Sequence, residues 1–199
     1  MRPRRAIARI VLVAACWSLS VEPVRGADAA AWNLTELMHE LGQVKTAKAR
    51  FVERKYLSVL SEPLEFSGTL VYTAPDKLEK NTLLPKPESL VVERNKLTID
   101  RGAGQQPRTL ALSDYPEIWA FVESIRGTLG GDLQTLSRFY KVSLEGDARD
   151  WQLLLEPNEQ KMQAIVKAIR IAGSSDWVNS IEIQEADGDR SVMTVARDE

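Results

Sequence analysis

The feature that most constrains the fold is a change of hydrophobic period along the chain. Over residues 51–73 apolar and polar side chains alternate, most regularly after residue 63, and a period of two is that of a β-strand. The pattern breaks at Pro63 and then resumes, so it predicts a long antiparallel hairpin with strands over residues 51–60 and 64–73. One face of the second strand carries Phe66, Gly68, Leu70 and Tyr72.

Segments with helical period flank and interrupt the predicted strands. Asn33 can cap a helix that runs to about residue 47, and a helix over residues 115–129 has Pro116 in its first turn. Asp132 can cap a short third helix. Further strands are predicted over residues 78–84, 89–93, 96–100, 141–145, 151–156, 165–172, 178–185 and 191–196. This order predicts an α+β fold with an antiparallel sheet of about ten strands, which tends to curl and can take helices on its concave face.

The first residues have the layout of a secretory signal. Arginines at positions 2, 4, 5 and 9 precede a mostly apolar stretch over residues 10–21. A membrane-spanning helix needs roughly 20 apolar residues, so we expect a cleaved signal over residues 1–26 and a single domain over residues 27–199. Cleavage after Gly26 and after Ala29 both satisfy the small-residue rule. The residues before Cys16 also resemble a lipidation box, so a lipidated Cys16 is the alternative.

Composition excludes several classes of function. Cys16 is the only cysteine, so a mature chain has neither disulfides nor thiolate chemistry. The chain has 26 Lys and Arg against 28 Asp and Glu, and loss of residues 1–26 removes five arginines and Glu22, which leaves about 21 against about 27. An acidic protein of this kind is a poor partner for nucleic acid.

Catalytic and metal-binding residues are scarce. His39 is the only histidine, so the usual zinc sites and the triads built on histidine have no ligand set or base. The carboxylates over residues 145–150 and 187–189 cluster at predicted turns, where such groups are usually solvated. We therefore expect no catalytic residues, no metal site and no cofactor.

An apolar face remains as the candidate functional feature. It can be an ordinary core, or the wall of an apolar cavity under amphipathic helices, and periodicity does not separate the two. The candidate residues of this face are Phe51, Phe66, Leu70, Tyr72, Leu78, Val92, Leu97 and Ile99.

The order of the segments resembles the outer-membrane lipoprotein carrier family with the LolA/LolB fold. The likeness begins in NLTELMHELGQVKTAKARFVE (33–53), continues in FSGTLVYTAPDKL (66–78) and LVVERNKLTI (90–99), and returns in WQLLLEP (151–157) and over residues 165–171 and 177–195. The chain looks like a divergent member of this family. The resemblance implies an unclosed barrel of about 10–11 antiparallel strands with a helical lid over a hydrophobic cavity.

The same resemblance implies a function without catalysis. We expect a monomeric periplasmic carrier that shields the acyl chains of a lipoprotein between an inner-membrane exporter and an outer-membrane acceptor. A non-protein lipid such as an aryl-polyene lipid is the alternative cargo, and an enzyme on the same fold or a packed interaction module is the alternative function. The eight residues above would line the cavity, and the lid would present Ile118, Phe121, Val122, Leu133 and Leu136.

Ala74 is one of the positions that depart from the family pattern. The family usually has an arginine just before the proline that ends the second strand, and this arginine latches the sheet to the lid. Here that position is Ala74. The resemblance therefore implies that the latch is absent unless Lys77 supplies it.

Overall fold

Eleven strands and four α-helices make up the part of the chain that the computed structural model describes, residues 32–102 and 104–198. The predicted signal and Cys16 lie outside these residues. The helices are α1 (Leu34–Gln43), α2 (Pro116–Leu129), α3 (Leu133–Phe139) and α4 (Gln160–Gln163), and a short 3-10 helix covers Leu112–Asp114. The strands are β1 (Thr46–Tyr56), β2 (Leu64–Thr73), β3 (Lys77–Leu84), β4 (Glu88–Glu93), β5 (Lys96–Asp100), β6 (Arg108–Ala111), β7 (Tyr140–Asp147), β8 (Asp150–Pro157), β9 (Val166–Ser174), β10 (Trp177–Glu185) and β11 (Arg190–Arg197).

All these strands belong to one antiparallel sheet with the order β6-β5-β4-β3-β2-β1-β11-β10-β9-β8-β7. Strands β1–β6 form an N-terminal half-sheet and β7–β11 a C-terminal half-sheet, and the two halves meet where β1 pairs with β11. Strands β6 and β7 end the order on opposite sides, so the sheet is unclosed. The predicted α+β fold with an unclosed antiparallel sheet is confirmed.

Helices α2 and α3 lie on one face of the sheet because of its topology. Strand β6 is at one edge of the sheet and β7 at the other, so the chain between them must cross a face. The apolar side chains of α2 pack against both half-sheets on that face, which we call the inner face. None of the helices in the described residues is long and apolar enough to cross a membrane.

The predicted helix starts are confirmed by their caps. The side-chain oxygen of Asn33 accepts from the backbone N–H of Thr35 at 2.8 Å, and that of Asp132 accepts from Thr135 at 2.9 Å. Helix α1 nevertheless ends at Gln43 and not near residue 47. The two-residue period already begins at Thr46, where β1 can pair with β2, so sheet pairing ends the helix earlier than its own pattern indicated.

Strand β6 was missed by the sequence analysis. It has only four residues, of which the first two are exposed and the last two half-buried, so it lacks the alternation that predicts a strand. Its ladder with β5 forms because Thr98 and Leu97 present a free edge opposite Thr109 and Leu110.

The best-packed core lies on the inner face of the C-terminal half-sheet. Helix α1 contributes three buried side chains, and α2 and α3 add further ones. Trp151 is completely buried, and its indole N–H donates to the carbonyl oxygen of Ser175 at 2.9 Å. The buried members of this cluster are Leu37, Met38, Leu41, Ala120, Leu136, Tyr140, Trp151, Leu153, Leu155, Met162, Val166, Ile169, Ile171 and Val178.

Candidate functional site

The eight residues predicted to line a cavity all lie on the inner face of the N-terminal half-sheet. Residues that are directly opposite each other in an antiparallel pair project to the same side of the sheet. Tyr72 is opposite Leu78 in the β2–β3 pair, and the same row continues through β4 and β5. The sheet register therefore brings together Phe51, Phe66, Leu70, Tyr72, Leu78, Val92, Leu97 and Ile99.

These eight side chains are covered to different degrees. Phe51, Tyr72 and Val92 are buried, with exposures of 2%, 3% and 7%. Leu78 and Leu97 are half-buried and pack against a small cluster formed by Val92, Leu112 and Val122. The remaining three are half-buried and belong to neither apolar cluster of the described residues: Phe66, Leu70 and Ile99. The inner face is thus filled on its C-terminal half and only partly covered on its N-terminal half.

The predicted lid residues divide between the two half-sheets. Val122 is buried against the N-terminal half-sheet beside Val92. Phe121, Leu133 and Leu136 pack into the core of the C-terminal half-sheet instead. Ile118 is 36% exposed and belongs to neither cluster. Helix α2 therefore bridges the halves, and it covers the N-terminal half mainly with Trp119 and Val122.

A polar contact joins α2 to the sheet, but not through Lys77. The ammonium of Lys77 lies 2.7 Å from the carboxylate of Glu79 on its own strand. Arg126 of α2 instead donates to the carbonyl oxygen of Arg94, in the β4–β5 turn, at 2.7 Å. Its other terminal nitrogen is 2.8 Å from Glu123, which also accepts from the Trp119 indole at 3.0 Å. The arginine that joins helix and sheet is therefore on α2.

Two clefts open at the margin of the lid. One, of about 380 Å³, lies between α1 and the start of α3 and is lined by Leu133 among others. The other, of about 360 Å³, lies between the end of β2 and α2, and Tyr72, Ala74 and Arg126 line it. The Tyr72 hydroxyl is buried and has no hydrogen-bond partner within the described residues. Burial raises the pKa of Tyr72. The positive charge of Arg126 acts to lower this pKa, and the negative charge of Asp76 acts to raise it further.

A buried charge on the apolar inner face was missed by the sequence analysis. Glu53 of β1 is only 4% exposed. One carboxylate oxygen accepts from the Ser191 hydroxyl at 2.7 Å and lies 3.7 Å from the ammonium of Lys55, and the other pairs with the ammonium of Lys80. The sequence held a signal, because Glu53 continues the alternation of Ala49 and Phe51 and is therefore in phase with buried positions.

Two aromatic rings accompany this charge cluster. The Lys80 ammonium is 4.9 Å from the centre of the Phe51 ring, and the Lys55 ammonium is 5.4 Å from that of Phe66. Burial on its own would raise the pKa of Glu53, but the charge of Lys80, its hydrogen bond and that of Ser191, and then Lys55, together hold the pKa below the ordinary value of 4.5. Glu53 is therefore ionised at neutral pH.

Comparison with known proteins gives one sequence-level match and several distant structural ones. The family model described as "Outer membrane lipoprotein carrier protein LolA-like" matches residues 26–197. No curated protein sequence matches the chain. A LolA superfamily protein from Nitrosomonas europaea aligns at 9% identity and a TM-score of 0.46, over 83% of this chain and 92% of the other.

Two further structures align less closely. The MucA/MucB complex of Pseudomonas aeruginosa gives 12% identity and a TM-score of 0.42, over 83% of this chain and 58% of the other. A DUF1329 family protein from Desulfovibrio piger gives 12% identity and a TM-score of 0.38, over 82% and 88%. Identities and scores this low carry no functional argument. The match over residues 26–197 does identify the family, and the chain belongs to the outer membrane lipoprotein carrier protein LolA-like family.

Proposed function

We propose that this protein is a periplasmic carrier that holds the acyl chains of a lipoprotein or another lipid on the inner face of its N-terminal half-sheet. The observation that carries the proposal is the group of half-buried apolar side chains on that face, Phe66, Leu70 and Ile99, beside the partly covering helix α2. Membership of a lipoprotein-carrier-like family supports it. Val122 and Trp119 would form the lid over this part of the face.

The free energy of exposing an acyl chain to water is large enough to require a shielding apolar face. A 16-carbon chain has about 14 methylenes, and at ~0.8 kcal/mol each its exposure to water costs roughly 11 kcal/mol. Apolar side chains that shield most of the chain offset most of that cost, and no covalent step is needed. The proposed function is therefore transport without catalysis.

The proposal implies partners on both membranes. A lipoprotein cargo needs an inner-membrane exporter to load the carrier and an outer-membrane acceptor to unload it. A non-protein cargo such as an aryl-polyene lipid needs a different exporter. The carrier itself would be a monomer made of residues 27–199 after removal of the signal.

The first test is to identify what the protein carries. The mature protein is purified from periplasm without detergent, its mass is measured by native mass spectrometry, and the bound material is extracted for lipid analysis. A stoichiometric acylated species supports the carrier function and identifies the cargo. An empty protein that also fails to shield a fluorescent fatty acid from water contradicts it.

A pair of variants on β2 separates a binding face from a packed core. Leu70→Glu places a charge on the inner face, and Thr69→Glu places the same charge one residue earlier on the outer face, opposite Arg50. We expect Leu70→Glu to remain folded and to lose co-purifying lipid, because Leu70 is only half-buried, while Thr69→Glu keeps it. Unfolding of Leu70→Glu, measured by circular dichroism, would indicate instead that the face is an ordinary core.

A further inference from the structure

Glu53, Lys80 and Lys55 place three charges among the apolar side chains of the inner face. Lys80 is on β3 and Glu53 on β1, so the lysine side chain must cross β2 to reach its partner. The inner-face position of β2 between Phe66 and Leu70 is Gly68, which has no side chain there and leaves the path open. A Cβ at Gly68 would lie 1.9 Å from the carbonyl oxygen of Asn81, so no other residue fits.

Stability does not explain this cluster. Removing an ion pair from water costs about as much as its attraction returns, and well-packed apolar residues in the same place are often as stable or more so. Glu53 is nearly inaccessible, with 6% of its side chain exposed, whereas Lys80 keeps 26% and Lys55 keeps 44%. The carboxylate is therefore held inside, whereas both lysine side chains keep part of their surface accessible to a ligand.

The charges of the cluster do not balance. The carboxylate of Glu53 lies between two ammonium groups, one at each oxygen, so one positive charge is in excess. The other ion pair on this inner face, Glu88 with Arg101 at 2.7 Å, is balanced. Of these two groups of paired charges, the cluster around Glu53 is the one that carries a net positive charge.

The cluster adjoins the apolar residues to which the acyl chain is assigned. Lys80 is directly opposite Leu70 on β2 and Leu90 on β4, and Glu53 is directly opposite Phe66. An anionic group that contacts the two ammonium groups on the side away from Glu53 would leave its chain on these side chains. We infer that Lys55 and Lys80 bind the carboxylate or phosphate of an anionic amphiphile, with Glu53 positioning both ammonium groups. This inference rests on the proposed carrier function.

The test compares three ligands that share one chain: hexadecanoate, hexadecyl phosphate and hexadecanol. Each displaces a neutral fluorescent probe from the delipidated protein, and the midpoints give relative affinities. We expect at least one anion to bind about tenfold more tightly than the alcohol, the value of one charge-assisted hydrogen bond, and its advantage to fall as salt is added. The order of the two anions distinguishes a fatty acid from a phosphate-bearing lipid.

Lysine variants then test whether Lys55 and Lys80 cause the preference for an anion. Lys80→Met removes an ammonium that neutralises part of the charge of the buried Glu53 carboxylate, so this variant also loses stability. Lys55→Met, at a more exposed position, therefore serves as the second variant. Lys77→Met is the matched control, since it lies on the same strand as Lys80 but on the outer face. We expect a loss of about fivefold or more in anion affinity for Lys55→Met and Lys80→Met, with hexadecanol and the control unchanged.

The outcomes separate this inference from the proposed function. If the three ligands bind equally well and the lysine variants bind like the wild type, the inference is wrong and the carrier function stands. If no ligand displaces the probe, both are overturned. Tighter binding of an anion that is lost in Lys55→Met and kept in Lys77→Met supports the inference.

Discussion

The Glu53–Lys80 pair allows a quantitative test of what the buried charge does to stability. Lys80→Met leaves the carboxylate of Glu53 almost inaccessible, with only the Ser191 hydroxyl and the ammonium of Lys55 at 3.7 Å as partners. Removing one member of a buried ion pair costs about 3–5 kcal/mol. Because Lys55 still neutralises part of the charge, we expect the lower end, about 3 kcal/mol of unfolding free energy.

The double variant Glu53→Gln with Lys80→Met should behave differently. Glutamine keeps an acceptor for Ser191 and carries no charge, and methionine can still pack on the Phe51 ring. No uncompensated charge is left inside, so we expect the free energy of unfolding of the double variant to be within about 1 kcal/mol of that of the wild type. Its rescue of Lys80→Met is the diagnostic result.

Equilibrium unfolding in urea, followed by tryptophan fluorescence, measures both effects. The midpoint should fall in Lys80→Met and recover in the double variant, with an unchanged slope. Tryptophan is a suitable probe because Trp151 is completely buried. A loss of less than about 1 kcal/mol in Lys80→Met, or a double variant less stable than it, would refute the reasoning.

Acid conditions provide the same test by another route. The pKa of Glu53 is lower in the folded than in the unfolded chain. The contribution of its ionisation to the free energy of unfolding is therefore complete above the unfolded pKa of about 4.5. It is lost as the pH falls through the lower folded pKa. The wild type should therefore lose more stability than the double variant between about pH 6 and about pH 3. Parallel curves for the two proteins would contradict the assigned role of Glu53.

Two further predictions concern the core. Gly173→Ala should destabilise by about 3 kcal/mol in the same urea assay, since its Cβ would lie 2.3 Å from the Trp151 ring and 2.2 Å from the carbonyl oxygen of Trp177; an unchanged midpoint contradicts this. Burial raises the pKa of Tyr140 to about 12, and its hydroxyl donates to Ala120 at 3.1 Å. The contribution of the neutral Tyr140 hydroxyl to the free energy of unfolding is complete below about pH 10 and is lost as the pH rises toward the folded pKa. Tyr140→Phe should therefore lower the free energy of unfolding by about 1 kcal/mol at neutral pH and by less at alkaline pH.

The inner face could be predicted from the sequence because strand period and short turns determine it locally. Leu97 is opposite Val92 because only the two residues Arg94 and Asn95 join β4 to β5, and such a turn sets the register of the whole pair. Capping residues likewise gave the helix starts. The fold class followed from the order of these local signals, and the family resemblance supplied the unclosed form of the sheet.

The contacts that define the site were not local and were not predicted. Ser191 reaches Glu53 only because β1 pairs with β11, a pairing between strands at opposite ends of the described chain. Lys80 reaches the same carboxylate across an intervening strand. The division of the lid residues also depends on where α2 lies between the half-sheets, so Phe121 and Val122 pack on different clusters although they are adjacent.

Helix α2 is held more strongly on the C-terminal half-sheet than on the N-terminal one. Helix α2 packs on the C-terminal core through Ala120, Phe121 and Ile125, but on the N-terminal half mainly through Trp119 and Val122, with one hydrogen bond from Arg126. Burial of Val122 is worth about 1.5–3 kcal/mol and the hydrogen bond about 1 kcal/mol, and the half-buried Trp119 adds a contribution comparable to that of the valine. An acyl chain that buries ten or so methylenes on the N-terminal half gains about 8 kcal/mol. On the proposed carrier function, cargo of this size would compete with the contacts that α2 makes on that half.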